Sequence, residues 1–454
     1  MIHHLYTFLI TLLIILISPY LLLRSLLQGS FRREWTCRMG FLPKLPPEHP
    51  IWVHAASVGE VFCCVPLLKR IRREFPTCPT VMTTMTRTGH EAATKQVAEA
   101  DTVLFLPFDH PVIVRRVLRK IRPRFLLIAE TELWPNLLRF CQEQGTPIVL
   151  FNGRISDRSF PRYRFFRFFF RELLKAVTLF LMQTEKDRHR IIEIGAPEER
   201  TRVVGNIKFD QAVPSWAEGD PDPIARSLGL SGKEQVLIAG STHAGEEEVL
   251  VDLFRTLEEI YPSLVLILAP RHLNRLDEVE KILKRKGVFY KRRSSLSPDG
   301  FKSGDPRETR PRVVLLDTMG ELMKLYRLGT VVFIGGSLVP VGGHNPLEPL
   351  LFRKCVLFGP QMFNFREISR LLVNEGGAIE VEGSEDLGSR LNYLLANQAA
   401  REEIGEKGYQ FLLKNRGTTE RIFEAIRPYL VSPNKEAESW KLKAESRKNK
   451  TFDL

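Results

Sequence analysis

Glu60 closes the run Ile51-Trp52-Val53-His54-Ala55-Ala56-Ser57-Val58-Gly59-Glu60. Apolar residues give way to small ones, then to Gly59 and a carboxylate, after which Val61, Val65, Leu68 and Ile71 recur at helical spacing. The pattern reads as strand, tight turn and helix. Open α/β sheets place ligands at the carboxyl ends of their parallel strands. A carboxylate in the first turn of that helix is therefore a candidate general base. A helix start depresses a carboxylate pKa, so a partly apolar setting must oppose it if Glu60 is to take a proton near neutral pH. No partner for Glu60 is obvious within the turn, which favours a functional role over a structural cap.

Other strand ends in the first half carry similar groups. Ile128-Ala129-Glu130-Thr131-Glu132 ends one strand with two carboxylates, Phe151-Asn152-Gly153-Arg154 ends another, and Gly205-Asn206-Ile207-Lys208 closes the last. In the second half, the stretch from Phe333 to Pro349 (FIGGSLVPVGGHNPLEP) runs from a strand into paired glycines. Asn345, Pro346 and Glu348 then fit N-cap, first helical position and N3. Glycines allow close backbone approach, and a helix start offers N–H groups and a positive dipole end to phosphate. A plain capped helix, with Glu348 bonding back to the cap, is the competing reading.

Three more strand ends join it: Ala239 to Glu246 with His243, Ala269-Pro270-Arg271-His272, and Asp317-Thr318-Met319-Gly320-Glu321. A guanidinium, two imidazoles and several helix starts on one rim suit a nucleotide-sugar, whose phosphate needs cations and amide donors. No G-x-x-x-x-G-K-[ST] loop and no G-x-G-x-x-G after a strand is present, which disfavours nucleotide hydrolysis and dinucleotide binding. None of the six cysteines (Cys37, Cys63, Cys64, Cys78, Cys141, Cys355) forms a C-x-x-C pair, so buried free thiols are expected and no metal site.

The elements that must position these groups alternate. Strand-like runs fall at 51–56, 80–84, 103–106, 125–129, 148–151, 178–182 and 202–204, then at 236–239, 264–268, 313–316, 331–334 and 356–358, with amphipathic helices between. This predicts two α/β units with parallel sheets. Pro214, Gly219, Pro221 and Pro223 mark a linker between them, and a ligand cleft between two such domains is expected. The polar segment 291–312 reads as a surface insertion. The expected domains are an anchor at 1–30, one α/β domain at 31–213, a second at 214–430 and a charged, disordered tail at 431–454.

Residues 5–23 are almost unbroken apolar sequence, near the ~20 residues that a spanning helix needs. Arg24, Arg32, Arg33 and Arg38 follow it, which predicts a single-pass anchor with the bulk of the protein facing the cytoplasm, a helix lying in the interface being the alternative. The net charge of +13 favours anionic partners. Arg162, Arg164, Arg167, Arg171 and Lys175 interleave with Phe165, Phe166, Phe168, Phe169 and Phe170, as suits an anionic lipid headgroup. Single-stranded nucleic acid or an ordinary amphipathic helix are the alternatives.

Six stretches resemble the 3-deoxy-D-manno-octulosonic acid (Kdo) transferases of lipid A assembly. They are HAASVGEV at His54–Val61, ETELWPN at Glu130–Asn136, NIKFD at Asn206–Asp210, GSTHAGEE at Gly240–Glu247, APRH at Ala269–His272 and GHNPLEP at Gly343–Pro349. The resemblance implies a GT-B glycosyltransferase fold, with two Rossmann-like domains. It implies a metal-independent, inverting transfer from CMP-Kdo to a lipid A precursor, with inner-membrane lipids as further partners and no nucleic acid or cofactor. Glu60 matches the family's proton acceptor, and Glu130 and Lys208 its transition-state stabilisers. CMP contacts fall on Pro270, Arg271, Met319, Gly320, Glu321, Asn345, Pro346, Leu347 and Glu348, with His243 and Gly343 as further candidate substrate contacts. The segment 294–310 and the charged tail are longer than that pattern needs. The rival readings are a UDP-sugar transferase or epimerase of the same fold, and a tethered binding protein on an inactive scaffold.

Overall fold

The computed structural model describes residues 6–16, 29–45, 49–210, 222–296 and 311–431. The chain divides into two compact units: Met1–Gln211 with Arg416–Leu454, and Ala212–Asn415.

The first unit is built on seven strands: β1 (Ile51–His54), β2 (Thr80–Thr84), β3 (Thr102–Phe105), β4 (Phe125–Ala129), β5 (Ile148–Gly153), β6 (Leu179–Met182) and β7 (Thr201–Val203). All pair in parallel, in the order β3-β2-β1-β4-β5-β6-β7. Both faces of a parallel sheet are covered, which is why these strands read as apolar runs and not as alternations. The two faces still separate by the two-residue strand period. Ile51, Val53, Phe125 and Leu127 pack into one core, while Trp52, Leu126 and Ile128 pack into the other. Strand order reverses between β1 and β4, so the residues that follow these strands flank the switch point where such sheets bind ligands.

Helix Thr418–Val431 belongs to this first unit, not to the second where the expected boundary at 430 placed it. Its Ile422, Phe423, Ile426 and Leu430 join the core of Val53, Leu67 and Ile71. Arg70 fastens it, bonding Glu420 at 2.8 and 2.9 Å and lying 3.8 Å over the Phe423 ring. An amphipathic period shows that a helix has a buried face, but not which sheet covers it.

The second unit has strands β8 (Gln235–Thr242), β9 (Leu264–Pro270), β10 (Tyr290–Arg292), β11 (Val313–Leu315), β12 (Val331–Ile334), β13 (Cys355–Phe358) and β14 (Ile379–Glu380). They too are parallel, in the order β10-β11-β9-β8-β12-β13-β14, with the switch point between β8 and β12. β10 and β14 escaped the sequence reading because they are the short, polar edges of the sheet. The expected insertion opens with β10 and one 3-10 turn at Arg293–Ser295, and its residues 297–310 lie outside the described residues. The linker residues 211–221 and the tail 432–454 lie outside them as well. All six cysteines are buried and free.

The single-pass anchor is corrected. Among the described residues no helix is long and apolar enough to cross a membrane. The helix at 6–16 has eleven residues, about 16 Å against a hydrocarbon core of about 30 Å. Its first turn is tied to the protein instead: Tyr6 Oη donates to Asp109 Oδ2 at 2.9 Å and Thr7 Oγ1 to Asn136 Oδ1 at 3.5 Å. Residues 17–23 of the apolar run lie outside the described residues.

Candidate active site

β1 ends at His54, and Ser57 caps helix Val58–Glu74 from extended backbone. The Ser57 hydroxyl donates to Glu60 Oε1 at 2.8 Å, and Ala56 N–H donates to Glu60 Oε2 at 2.9 Å. This is a variant of the capping box, serine followed three residues later by glutamate. The expectation that the turn leaves Glu60 without a partner therefore fails, although the Ser-x-x-Glu spacing was there to be read. Glu60 is only 9% exposed. Burial raises its pKa above the ordinary 4.5, outweighing the bonds from Ala56 and Ser57, and the charge of Glu130 pushes the same way. The apolar opposition required of a competent base is present.

Glu130 follows β4 with φ +55°, a left-handed conformation that costs a non-glycine residue strain. Its N–H bonds Phe151 O at 2.9 Å, and its Oε2 lies 3.7 Å from Arg154 Nε. Lys208 sits in the 3-10 turn Ile207–Asp210, seated by a relay of amides. Asn206 Oδ1 accepts Lys208 N–H at 3.0 Å, Asn206 Nδ2 donates to Gln183 Oε1 at 2.9 Å, and Asn152 Oδ1 accepts Ile207 N–H at 3.1 Å. Asn152 is itself left-handed, with φ +54°.

These groups converge. The charges of Lys208, Glu130, Glu60 and Arg154 all act on the Cys63 thiol, which burial foremost pushes up to about 12. The structure thus brings Glu60, Glu130 and Lys208 together, with Arg154 and Glu132 beside them. Burial first, then Glu60 and Glu130, push the Glu132 carboxyl up to about 7. Its sequence signal was the second carboxylate of the 130–132 pair.

In the second unit His243 follows β8, and Glu246 beside it is fully buried. Glu246 accepts four backbone N–H groups: His243 at 2.9 Å and Gly336 at 2.7 Å on Oε2, Ser337 at 2.9 Å and Leu338 at 3.0 Å on Oε1. One carboxylate therefore ties the turn after β8 to the turn after β12. Arg271 N–H bonds Thr242 O at 3.0 Å, which holds the end of β9 to the same rim. The His243 and His344 rings meet edge to edge, within 6° of parallel, with centroids 5.1 Å and Nε2 atoms 2.8 Å apart, and His272 meets His243 edge-on at 5.5 Å. Neither His344 nor Glu246 was among the expected site residues. Glu246 had the weak signal of a glutamate three residues after His243.

The expected helix start is shifted and shortened. The helix is the single turn Leu347–Leu350, with Pro346 at its N-cap. Asn345 Oδ1 accepts Leu347 N–H at 3.1 Å, and Asn345 Nδ2 donates to Glu348 Oε1 at 3.1 Å, so Glu348 bonds the asparagine side chain and not the backbone. Burial raises the Glu348 pKa, opposed by that bond and by the Arg271 charge. Gly343 has φ +70°, and a Cβ there would collide with Met362 Sδ. Leu347 is buried, leaving only its backbone for a ligand. Pro270 is the last residue of β9. Met319 is 73% exposed and Gly320 is left-handed after β11, on the same rim, while Glu321 bonds Thr318 and, at 3.3 Å, Arg293.

The basic aromatic stretch forms two short helices, Phe160–Phe165 and Arg167–Leu174. It divides its rings: Phe169 and Phe170 pack on the core, while Phe165, Phe166 and Phe168 are exposed. Phe160, Pro161, Arg164, Phe165 and Arg167 line a pocket there.

A family model described as 3-Deoxy-D-manno-octulosonic-acid transferase (kdotransferase) matches residues 33–211. A 3-deoxy-D-manno-octulosonic acid transferase of Haemophilus influenzae is 35% identical over 430 residues, covering 93% of this chain and 98% of that protein. One of Chlamydia pneumoniae is 29% identical, covering 91% of this chain and 93% of that protein. Among solved structures, the UDP-GlcNAc 2-epimerase from Neisseria meningitidis superposes with a TM-score of 0.54 at 12% identity, over 84% of this chain and all of that one. A glycosyltransferase from Rickettsia africae superposes with a TM-score of 0.52 at 11% identity, over 85% of this chain and 100% of that one. These two likenesses concern the fold alone.

Proposed function

The chain belongs to the 3-deoxy-D-manno-octulosonic acid transferases, and we propose that it moves Kdo from CMP-Kdo to a lipid A precursor in lipopolysaccharide assembly. In this reading the acceptor hydroxyl attacks the anomeric carbon from the face opposite CMP. Glu60 takes the hydroxyl proton as the new C–O bond forms. The bond from the anomeric carbon to the phosphate oxygen breaks, and CMP leaves with that electron pair. The transfer inverts the anomeric centre and needs no metal.

The observation that carries this reading is the state of Glu60. It is a buried carboxylate with a raised pKa, held by Ser57 and Ala56 beside the switch point of the first sheet. A base whose pKa lies closer to the working pH takes a proton more effectively in the transition state. Lys208 and Glu130 stand close enough to act on the same neighbour, Cys63, which supports their joint role around the reacting sugar. Arg271, on the rim that also carries His243 and His344, supplies positive charge for the CMP phosphate, and charge that develops on a leaving group is where fixed cations help most. The exposed Phe165, Phe166 and Phe168 beside Arg164 and Arg167 suit an acceptor that is both acylated and anionic.

The test is mass spectrometry of the lipid formed from CMP-Kdo and a tetraacylated disaccharide acceptor. A product heavier by one or more Kdo residues is expected. No product with CMP-Kdo, together with melting protected by UDP and not by CMP, overturns the assignment in favour of a UDP-sugar enzyme.

A further inference from the structure

His243 and His344 lie 101 positions apart in sequence, yet their Nε2 atoms share one hydrogen bond at 2.8 Å. The rings meet edge to edge, within 6° of parallel. One follows β8 and the other β12, the two strands at the switch point of the second sheet. The Glu246 carboxylate seats both turns, and His344 N–H is held by Gly335 O at 3.2 Å. Gly336, left-handed at φ +68°, lets the backbone run against both rings: a Cβ there would stand 3.2 Å from one and 3.3 Å from the other.

Two imidazole lone pairs cannot face each other at hydrogen-bond distance, so one Nε2 carries the hydrogen. In the neutral pair the donor ring keeps its Nδ1 as an acceptor, and the acceptor ring carries its hydrogen on Nδ1. Among the described residues neither Nδ1 bonds another protein group. One added proton leaves the N–H···N bond in place and turns the pair into two Nδ1–H donors with a positive charge. That is the form an anion binds.

Burial and the protein's own positive charges oppose protonation of the pair. Burial first, then Arg271, His243 and His272, bring the His344 pKa down to about 4. Burial, His272, Arg275 and Arg271 lower that of His243. The nearest carboxylates are committed elsewhere, Glu246 to four backbone N–H groups, Glu247 to Arg275 at 2.8 Å and Glu348 to Asn345. A phosphate on this rim would reverse that bias, because an opposite charge within a few ångströms favours the charged imidazole.

We propose that the His243–His344 pair takes up one proton from solvent when a nucleotide phosphate binds, making it a proton-coupled anion-binding element of the donor site. The inference rests on the CMP reading above. Calorimetric titration of the full chain with CMP, in buffers of differing ionisation enthalpy, counts the protons taken up. Wild type should take up to about one proton per CMP near neutral pH beyond what His344→Gln or His243→Gln takes up, and its affinity should rise up to about tenfold for each unit of pH lowered. Subtracting a variant that still melts cooperatively removes the titration of CMP itself. Uptake in wild type no greater than in the two variants overturns the pair and leaves the CMP reading standing. Absence of CMP binding removes the CMP reading, and the pair's role with it.

Discussion

The Ser57 hydroxyl donates to Glu60 Oε1 at 2.8 Å, so the residue that caps the helix also orients the candidate base. Cap and base form one hydrogen-bonded unit, and the structural and catalytic readings of Glu60 do not compete. Glutamine fills the same position in a capping box, which allows the two roles to be separated.

Glu60→Gln should cut turnover by roughly 10²–10⁴ while leaving the melting temperature and CMP affinity nearly unchanged. In wild type the rate should rise with pH through the raised pKa of Glu60, and the variant should lose that limb. Turnover equal to wild type would remove Glu60 from the chemistry.

Glu132 predicts a pH dependence of stability. Its carboxyl titrates near 7 in the folded protein against an ordinary 4.5. Between those values the folded state holds a proton that the unfolded state has released, so its contribution falls as pH rises and levels off above 7. Glu132→Gln should be more stable than wild type at pH 8 by about 1–3 kcal/mol and differ little at pH 4. Thermal melts at several pH values read this, and a difference independent of pH would contradict it.

Glu246→Gln leaves an amide where two oxygens accepted four N–H groups. A loss of about 2–4 kcal/mol is expected, read as a lower urea midpoint, together with weaker CMP binding as the two turns separate. An unchanged midpoint would show that the carboxylate does not hold the turns.

Arg271→Ala should weaken CMP about 10–100-fold with little change in stability, since the Arg271 side chain is exposed. Equal affinity by calorimetry would take Arg271 out of the phosphate site.

The core strands were legible because parallel strands buried on both faces are nearly continuous apolar runs. Thr80–Thr84, Phe125–Ala129 and Val331–Ile334 match the sequence reading residue for residue. The groups at strand ends were legible too, because the carboxyl rim of a parallel sheet lies wherever a strand turns into a helix. Glu60, Glu130 and Lys208 came from that rule and from the resemblance. The apolar run at the amino terminus read as one spanning helix, whereas its described helix covers only residues 6–16 and is tied by the Tyr6–Asp109 bond to a residue 103 positions away, which no local pattern shows.

Sequence by itself determined what local chemistry determines: the alternation of strand and helix, the caps, the turns and the residues placed on each rim. Tertiary structure alone decided the order of the strands, the unit that claims helix Thr418–Val431, the meeting of His243 with His344, and the burial that raises Glu60 and Glu132. The division is physical. Periodicity and capping depend on neighbours within a few residues, whereas desolvation and imidazole pairing depend on which distant strands lie side by side.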